Sequence, residues 1–271
     1  MKAADRSTRE AAANSSTRAY NSPEVVERYA AAADLMPAEE VLFGRYLRTG
    51  MDILDVGVGA GRTTGALRAV AGRYVGVDYA GAMVEACRRR FPDLEFVRAD
   101  AADLSAFPDA SFDAVIFSFN GVDYLPGDDR RQLFLREAHR VLRAAGVLIL
   151  SRHNARSLFI VPLEPRQSGL KARLGWLKYA ALENAWRLWA IPTQRPFWRG
   201  EGLFHDRNDN GTEVLVASRG RVIEELDSHD FTLLDVVGSN HPLPLPSAAT
   251  PWWYYAFMKR ERQGSSVAPR S

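Results

Sequence analysis

Cysteine is almost missing: Cys87 stands alone among 271 residues. An internal disulfide is therefore excluded, as is any Cys-cluster metal site, and a reducing, cytoplasmic setting is expected. Charge of either sign is also not in excess. Lys and Arg number 35 against 33 Asp and Glu, a formal +2, so net charge gives no argument for nucleic acid or for a membrane surface. No run is apolar for long enough to span a bilayer. The first 20 residues lack the apolar core of a signal peptide, and with their Ala, Ser, Thr and Arg they read as a loose tail. There is no internal repeat.

What is present is enough for a large core, since 46% of residues are hydrophobic. Between Met51 and Ser151 short apolar runs alternate with amphipathic ones. Strands are expected at Met51–Val56, Arg73–Val77, Leu94–Val97, Phe112–Ser118 and Gly146–Ser151. Helices are expected at Arg62–Val70, Gly81–Arg90 and Asp128–Leu142. Alternation of this kind gives a parallel sheet covered on both faces. Ser22-Pro23 and Pro37-Ala38-Glu39-Glu40 each open a helix ahead of the first strand.

After the fifth strand the pattern changes. Residues 154–212 are basic and aromatic, with Leu170, Leu174, Leu177, Ala181, Ala185 and Leu188 at helical spacing. The aromatic residues there are Trp176, Tyr179, Trp186, Trp189, Phe197 and Trp198. This reads as an inserted helical lid whose apolar stripe packs on the core and whose charges face water. Glu213–Ala217, a helix at Arg221–Ser228, and an antiparallel pair at Phe231–Val237 and Trp252–Met258 complete the sheet. The expected organisation is a tail at 1–20, a core at 21–153, a lid at 154–212, the rest of the core sheet at 213–260, and a second tail at 261–271. The expected fold is α/β, a Rossmann-like seven-stranded mostly parallel sheet with the lid after strand five.

The chemistry-bearing stretch is Asp55-Val56-Gly57-Val58-Gly59-Ala60-Gly61 at the end of the first strand. Glycines at alternate positions let the chain turn sharply and keep side chains away from a ligand. A dinucleotide turn wants G-x-G-x-x-G, and here the third glycine comes one residue early. Asp78 ends the second strand, Asp100 follows the third, and Ser118 ends the fourth. With Phe112–Ser118 and Arg140-Val141-Leu142-Arg143-Ala144-Ala145-Gly146 in order, the stretch from Val41 to Ser151 resembles the class I S-adenosylmethionine (SAM)-dependent methyltransferases. In the arginine-led segment Ala145 stands for a usual glycine and Ala144 for a usual proline.

The resemblance implies SAM as cofactor and several roles. Gly57, Gly59 and Gly61 would form its cradle, and Asp55 would suit its ammonium group. Asp78 would accept both ribose hydroxyls. Asp100 and the backbone of Ala101 would meet the adenine, and Ser118 is counted with them. The segment after the fourth strand lacks the N/D-P-P-Y/F pattern that grips a flipped base. Cys87 is misplaced for a cysteine nucleophile, and no Asp/Asn set suggests a metal. A small-molecule acceptor, methylated on oxygen or nitrogen, is the remaining expectation, of natural-product or sugar type. His153 is the candidate base, with Asn120 and Tyr124 beside it. His205 and His241 are weaker candidates of the same kind, and Tyr20 and Tyr29 are candidates to cover the cofactor. Rival readings are a non-catalytic SAM-fold protein binding a partner or membrane periphery through its lid, and an RNA methyltransferase. The sequence leaves the oligomeric state open.

Overall fold

The computed structural model describes residues 20–32, 34–125, 128–155, isolated positions between 174 and 185, 201–206, 212–239, 241–242 and 250–261. Among the described residues two helices precede the first strand. Helix α1 (Pro23–Ala31) is capped by Ser22, whose Oγ accepts the Val25 N–H, and carries Pro23 at its first position. Both are the start signals expected from sequence. Helix α2 (Pro37–Tyr46) begins where the Glu39 carboxylate accepts the Met36 N–H at 2.7 Å.

The strands are β1 (Met51–Val56), β2 (Ala71–Asp78), β3 (Glu95–Arg98), β4 (Phe112–Phe117), β5 (Leu142–His153), β6 (Glu201–Asp206), β7 (Thr212–Ala217), β8 (Phe231–Gly238) and β9 (Trp252–Lys259). Between them lie α3 (Thr64–Arg68), α4 (Gly81–Arg90), a 3-10 turn (Gly121–Tyr124), α5 (Asp128–Val141) and α6 (Arg219–Asp227). The main sheet has seven strands in the order β3-β2-β1-β4-β5-β9-β8. The first five are parallel, and β9 runs antiparallel between β5 and β8.

Period-two alternation sends side chains to two cores. One face carries Leu54, Val75, Val115, Leu148 and Phe257 against Phe134 and Leu135 of α5 and Val222 and Leu226 of α6. The other carries Ile53, Tyr74, Ile116, Ile149 and Ala256 against Leu42 of α2, Leu67 of α3 and Cys87 of α4. Helix α1 packs separately, Val25 and Val26 lying with Ala60 of the glycine turn and Met83 of α4. The chain leaves β1 toward β2 and β3, then crosses back to β4 on its other side. The strand order therefore reverses between β1 and β4, the place where open α/β sheets hold ligands.

Several expectations are corrected. The helix after the glycine turn starts at Thr64, not Arg62, and ends at Arg68, because Thr63 is held by its hydroxyl on Asp55 at 2.7 Å. Strand β5 is longer than Gly146–Ser151. It pairs from Leu142 onward across an irregularity opposite Phe112 and Ala114, with Ala145 at φ 57°. Finally, β7 does not join the main sheet with the other C-terminal strands. It forms an antiparallel hairpin with β6 and touches the core through a bridge from Ala217 to Asn154.

Of the expected lid stripe, Leu174, Leu177, Ala181 and Ala185 are helical and exposed, as is Lys178. Leu174 is 58% exposed and Leu177 43%, so the stripe's packing on the core is not found at these positions. The lid aromatic residues, Leu170, Leu188, residues 1–19, the loop at Pro244-Leu245-Pro246 and residues 262–271 lie outside the described residues.

Ala145 sits in the left-handed region that its Cβ disfavours by about 1–2 kcal/mol. The glycine usual at this place would remove that strain, less the extra chain entropy that glycine loses on folding. Ala145→Gly is expected to raise unfolding free energy by up to about 1 kcal/mol in urea titrations. A loss of stability would show that the turn is set by something other than this residue.

Candidate active site

The carboxyl ends of β1, β2, β4 and β5, with α1 above them, enclose two adjoining cavities of about 120 and 430 Å³. Gly57, Gly59, Ser118, Phe119, Tyr124 and Tyr29 belong to the walls of both. The smaller reaches Asp78, Asp100 and Ala101. The larger reaches Arg62, Asn120, His153 and Trp252.

The turn between β1 and α3 is held from every side. Gly57 has φ 64°, and a Cβ there would stand 2.6 Å from the Phe117 ring, so only glycine fits. Gly59, at φ 56°, lies under the Tyr29 ring, which a Cβ would meet at 3.3 Å. From below, the Cys87 thiol donates to the Gly59 carbonyl at 3.1 Å, and burial pushes that thiol up to about 12. The lone cysteine is thus a strut behind the turn and not a nucleophile.

Asp78 is buried. Its two oxygens accept the N–H groups of Gly59 and Ala80, each at 2.9 Å. Burial raises its pKa to about 6, and the backbone N–H groups oppose the rise. Asp100 accepts the Ala102 N–H at 2.9 Å and pairs with Arg130 of α5.

Two consecutive non-glycine residues after β4, Phe119 and Asn120, are left-handed at φ 56° and 62°. Backbone strain of this kind persists only where surrounding contacts impose it. Here the Asn120 N–H donates to Ser151 Oγ at 2.7 Å. The turn brings Asn120, Asp123 and Tyr124 beside the end of β5. There Asp123 Oδ2 accepts the His153 backbone N–H at 2.7 Å and lies 2.9 Å from its Nδ1.

Comparison with known proteins agrees with this geometry. Residues 54–150 match the family model described as "Methyltransferase domain". A probable SAM-dependent methyltransferase of Mycobacterium tuberculosis is 37% identical over 39% of this chain, an alignment that spans 37% of that relative's own length. One from Mycolicibacterium smegmatis is 36% identical over 73% of this chain and 75% of its own. The chain belongs to the SAM-dependent methyltransferase family. Among solved structures, 1,6-didemethyltoxoflavin-N1-methyltransferase of Burkholderia thailandensis, with bound 1,6-didemethyltoxoflavin and S-adenosylhomocysteine, superposes with a TM-score of 0.54 at 17% identity. The match covers 83% of this chain and 77% of that one.

Every site residue expected from sequence lies at the cavities except Gly61, which stands further along the turn against Phe91. Ser118 and Asp55 are, like Asp78 and Asp100, engaged by their own chain. The Ser118 hydroxyl donates to Glu39. Asp55 Oδ2 accepts the hydroxyls of Thr63 and Tyr74, at 2.7 and 2.9 Å. Tyr20 and Tyr29 stand edge to face in the wall of the smaller cavity, their centroids 5.9 Å apart. His241 is exposed and away from both cavities, and the side chain of His205 lies outside the described residues.

Sequence reasoning missed Glu39, Arg62 and Asp123 as site residues, whereas Trp252, a candidate from sequence to line the mouth of the site, does line the larger cavity. Arg62 pairs with Glu39 through both guanidinium nitrogens, at 2.5 and 2.6 Å, and its plane lies 4.8 Å over Phe119. Asp123 was within reach of sequence reasoning, since β4 and β5 are neighbours and an acid after one strand faces the end of the next.

Asp55 is buried, and burial lifts its carboxyl from 3.8 to about 6, the two hydroxyls only partly offsetting it. The folded state then binds a proton that the unfolded chain releases. Its contribution to stability is full below pH 3.8 and is lost as pH rises through about 6. Relative to Asp55→Asn, wild-type stability is expected to fall by roughly 3 kcal/mol between pH 3.5 and 7. Denaturant melts of both proteins across that range check it, and a constant difference would mean an unshifted carboxyl.

Proposed function

We propose that this chain transfers the methyl group of SAM to an oxygen or nitrogen of a small-molecule acceptor. The observation that carries the reading is the pair of adjoining cavities at the strand-order reversal. One is walled by the glycine turn and two post-strand acids, the other by a histidine, an amide and aromatic rings.

The residues fit the cofactor. SAM supplies an electrophilic methyl on a sulfonium. Gly57 and Gly59 leave backbone bare along one wall. Asp78, fixed by two N–H donors, retains lone pairs for the ribose hydroxyls. Asp100 and the Ala101 backbone close the adenine end. Tyr20 and Tyr29 cover it, as aromatic rings suit a purine and sugar face. Asp55, consumed by Thr63 and Tyr74, acts through the shape of the turn and through its charge rather than by a free carboxylate. On the acceptor side Asn120, Tyr124 and His153 converge. Placing the acceptor atom in line by such groups lowers the barrier to methyl transfer.

A small-molecule acceptor agrees with the size of the larger cavity, about 430 Å³, within the range of ligand pockets. The Burkholderia neighbour, whose structure holds such an acceptor beside S-adenosylhomocysteine, supports the reading by analogy of fold.

Calorimetry of the full chain is expected to show one SAM or S-adenosylhomocysteine site. Asp78→Ala should weaken it about tenfold or more, the loss of charge-assisted hydrogen bonds. Gly59→Arg should abolish it while circular dichroism stays that of the wild type. Absence of binding to folded wild type would overturn the reading. Tight SAM binding, with no methyl transfer from labelled SAM across an acceptor panel, would favour a non-catalytic SAM-binding protein.

A further inference from the structure

We infer that His153 removes the proton from a hydroxyl carried on a planar aromatic acceptor, and that Asp123 is the positioning residue that turns the imidazole for it; this rests on the methyl-transfer reading above. Asp123 is fully buried in the 3-10 turn after β4. Its Oδ2 accepts the His153 backbone N–H at 2.7 Å and lies 2.9 Å from Nδ1. A carboxylate only accepts, so Nδ1 carries the hydrogen, and the lone pair of the neutral ring is on Nε2. The other oxygen, Oδ1, is taken by Arg152 Nε. Arg152 is in turn tied to Glu225 at 3.1 Å, and Glu225 to Arg131 at 2.6 Å. Anchored at both oxygens, the carboxylate cannot swing away from the ring.

The imidazole lies in the wall of the larger cavity, its side chain 12% exposed. Tyr124 and Trp252 flank it edge to face, with centroids at 6.1 and 6.0 Å. Phe119 continues the rim, 5.1 Å from Trp252. Rings presented this way complement a flat apolar body. Asn120 is 2% exposed, and its Oδ1 has no hydrogen-bond partner among the described residues. It lines the same cavity, ready to accept a second hydroxyl or an N–H of the acceptor, which would remove the cost of an unpaired buried oxygen.

The proton chemistry narrows the acceptor further. A phenolic hydroxyl, with an ordinary pKa of about 10, gives up its proton to an imidazole base far more readily than an aliphatic alcohol does. In the step, the acceptor O–H bond breaks and its proton goes to Nε2. The oxygen's electron pair forms the new O–CH₃ bond while the sulfonium C–S bond breaks and its pair returns to sulfur. The imidazolium then gives its proton to water.

The test is ¹⁵N NMR of the histidine-labelled full chain saturated with S-adenosylhomocysteine, with His153→Gln assigning the resonances. Wild type is expected to show His153 protonated at Nδ1 with Nε2 in the unprotonated region. Adding 2-naphthol should move the Nε2 signal, and adding naphthalene or cyclohexanol should not. Asp123→Asn should lose the Nδ1–H tautomer, a change that a merely structural role would not produce. A wild-type Nε2–H tautomer, or a Nε2 signal indifferent to 2-naphthol, overturns the inference even if Asp123→Asn does not fold. Failure of S-adenosylhomocysteine to bind would instead strike the methyl-transfer reading on which it rests. Binding with the wrong tautomer strikes this inference alone.

Discussion

One buried carboxylate holds the two loops that make the site. Glu39, at the start of α2, is fully buried and accepts from the Met36 N–H, from both guanidinium nitrogens of Arg62, and from the Ser118 hydroxyl. It therefore joins the start of α2, the glycine turn after β1 and the end of β4. A buried charge is tolerable only when its lone pairs are met, and here the three elements that meet them are those bordering the strand-order reversal. Arg62, neutralised by Glu39, can lie against Phe119 and keep that ring at the cavity rim. Loss of the carboxylate would leave a guanidinium nearly buried without its partner and would release both loops together.

The other constraints act inward from this one. Asp78 fixes the Gly59 N–H, and Cys87 fixes the Gly59 carbonyl. The central residue of the turn is thus gripped on both sides by side chains, from the end of β2 and from α4. Beside the larger cavity a second buried chain of alternating charge, Asp123–Arg152–Glu225–Arg131, ties the loop after β4 to β5, α5 and α6. Each network ties together elements that are distant in sequence. Directional bonds, more than added stability, are what such buried pairs contribute here.

Much of this was legible in the sequence, for reasons of period and turn chemistry. Alternating apolar runs pointed to the seven-stranded sheet, and the glycines with Asp78 and Asp100 at successive strand ends pointed to the walls of the smaller cavity. Ser22-Pro23 gave the start of α1 to the residue. The rest depended on long-range contacts that no local pattern carries. Glu39 reads as an ordinary first-turn acid, because nothing near it in sequence announces Arg62 or Ser118. The extension of β5 follows from its pairing to Phe112 through the strained Ala145, which a usual glycine would have signalled. Strand β7 looks like any sheet strand until its hairpin with β6 is seen. Asp55, an apparent ligand for a cation, is drawn inward by two hydroxyls whose approach only the fold reveals.

The central claim is that one continuous site joins the glycine turn to the aromatic cup at His153. Its most direct test is a crystal structure with S-adenosylhomocysteine. The account predicts ribose hydroxyls on Asp78, the homocysteine portion along Gly57–Gly59, and the sulfur opening toward His153 and Trp252. A ribose away from Asp78, or a sulfur facing away from His153, would contradict it.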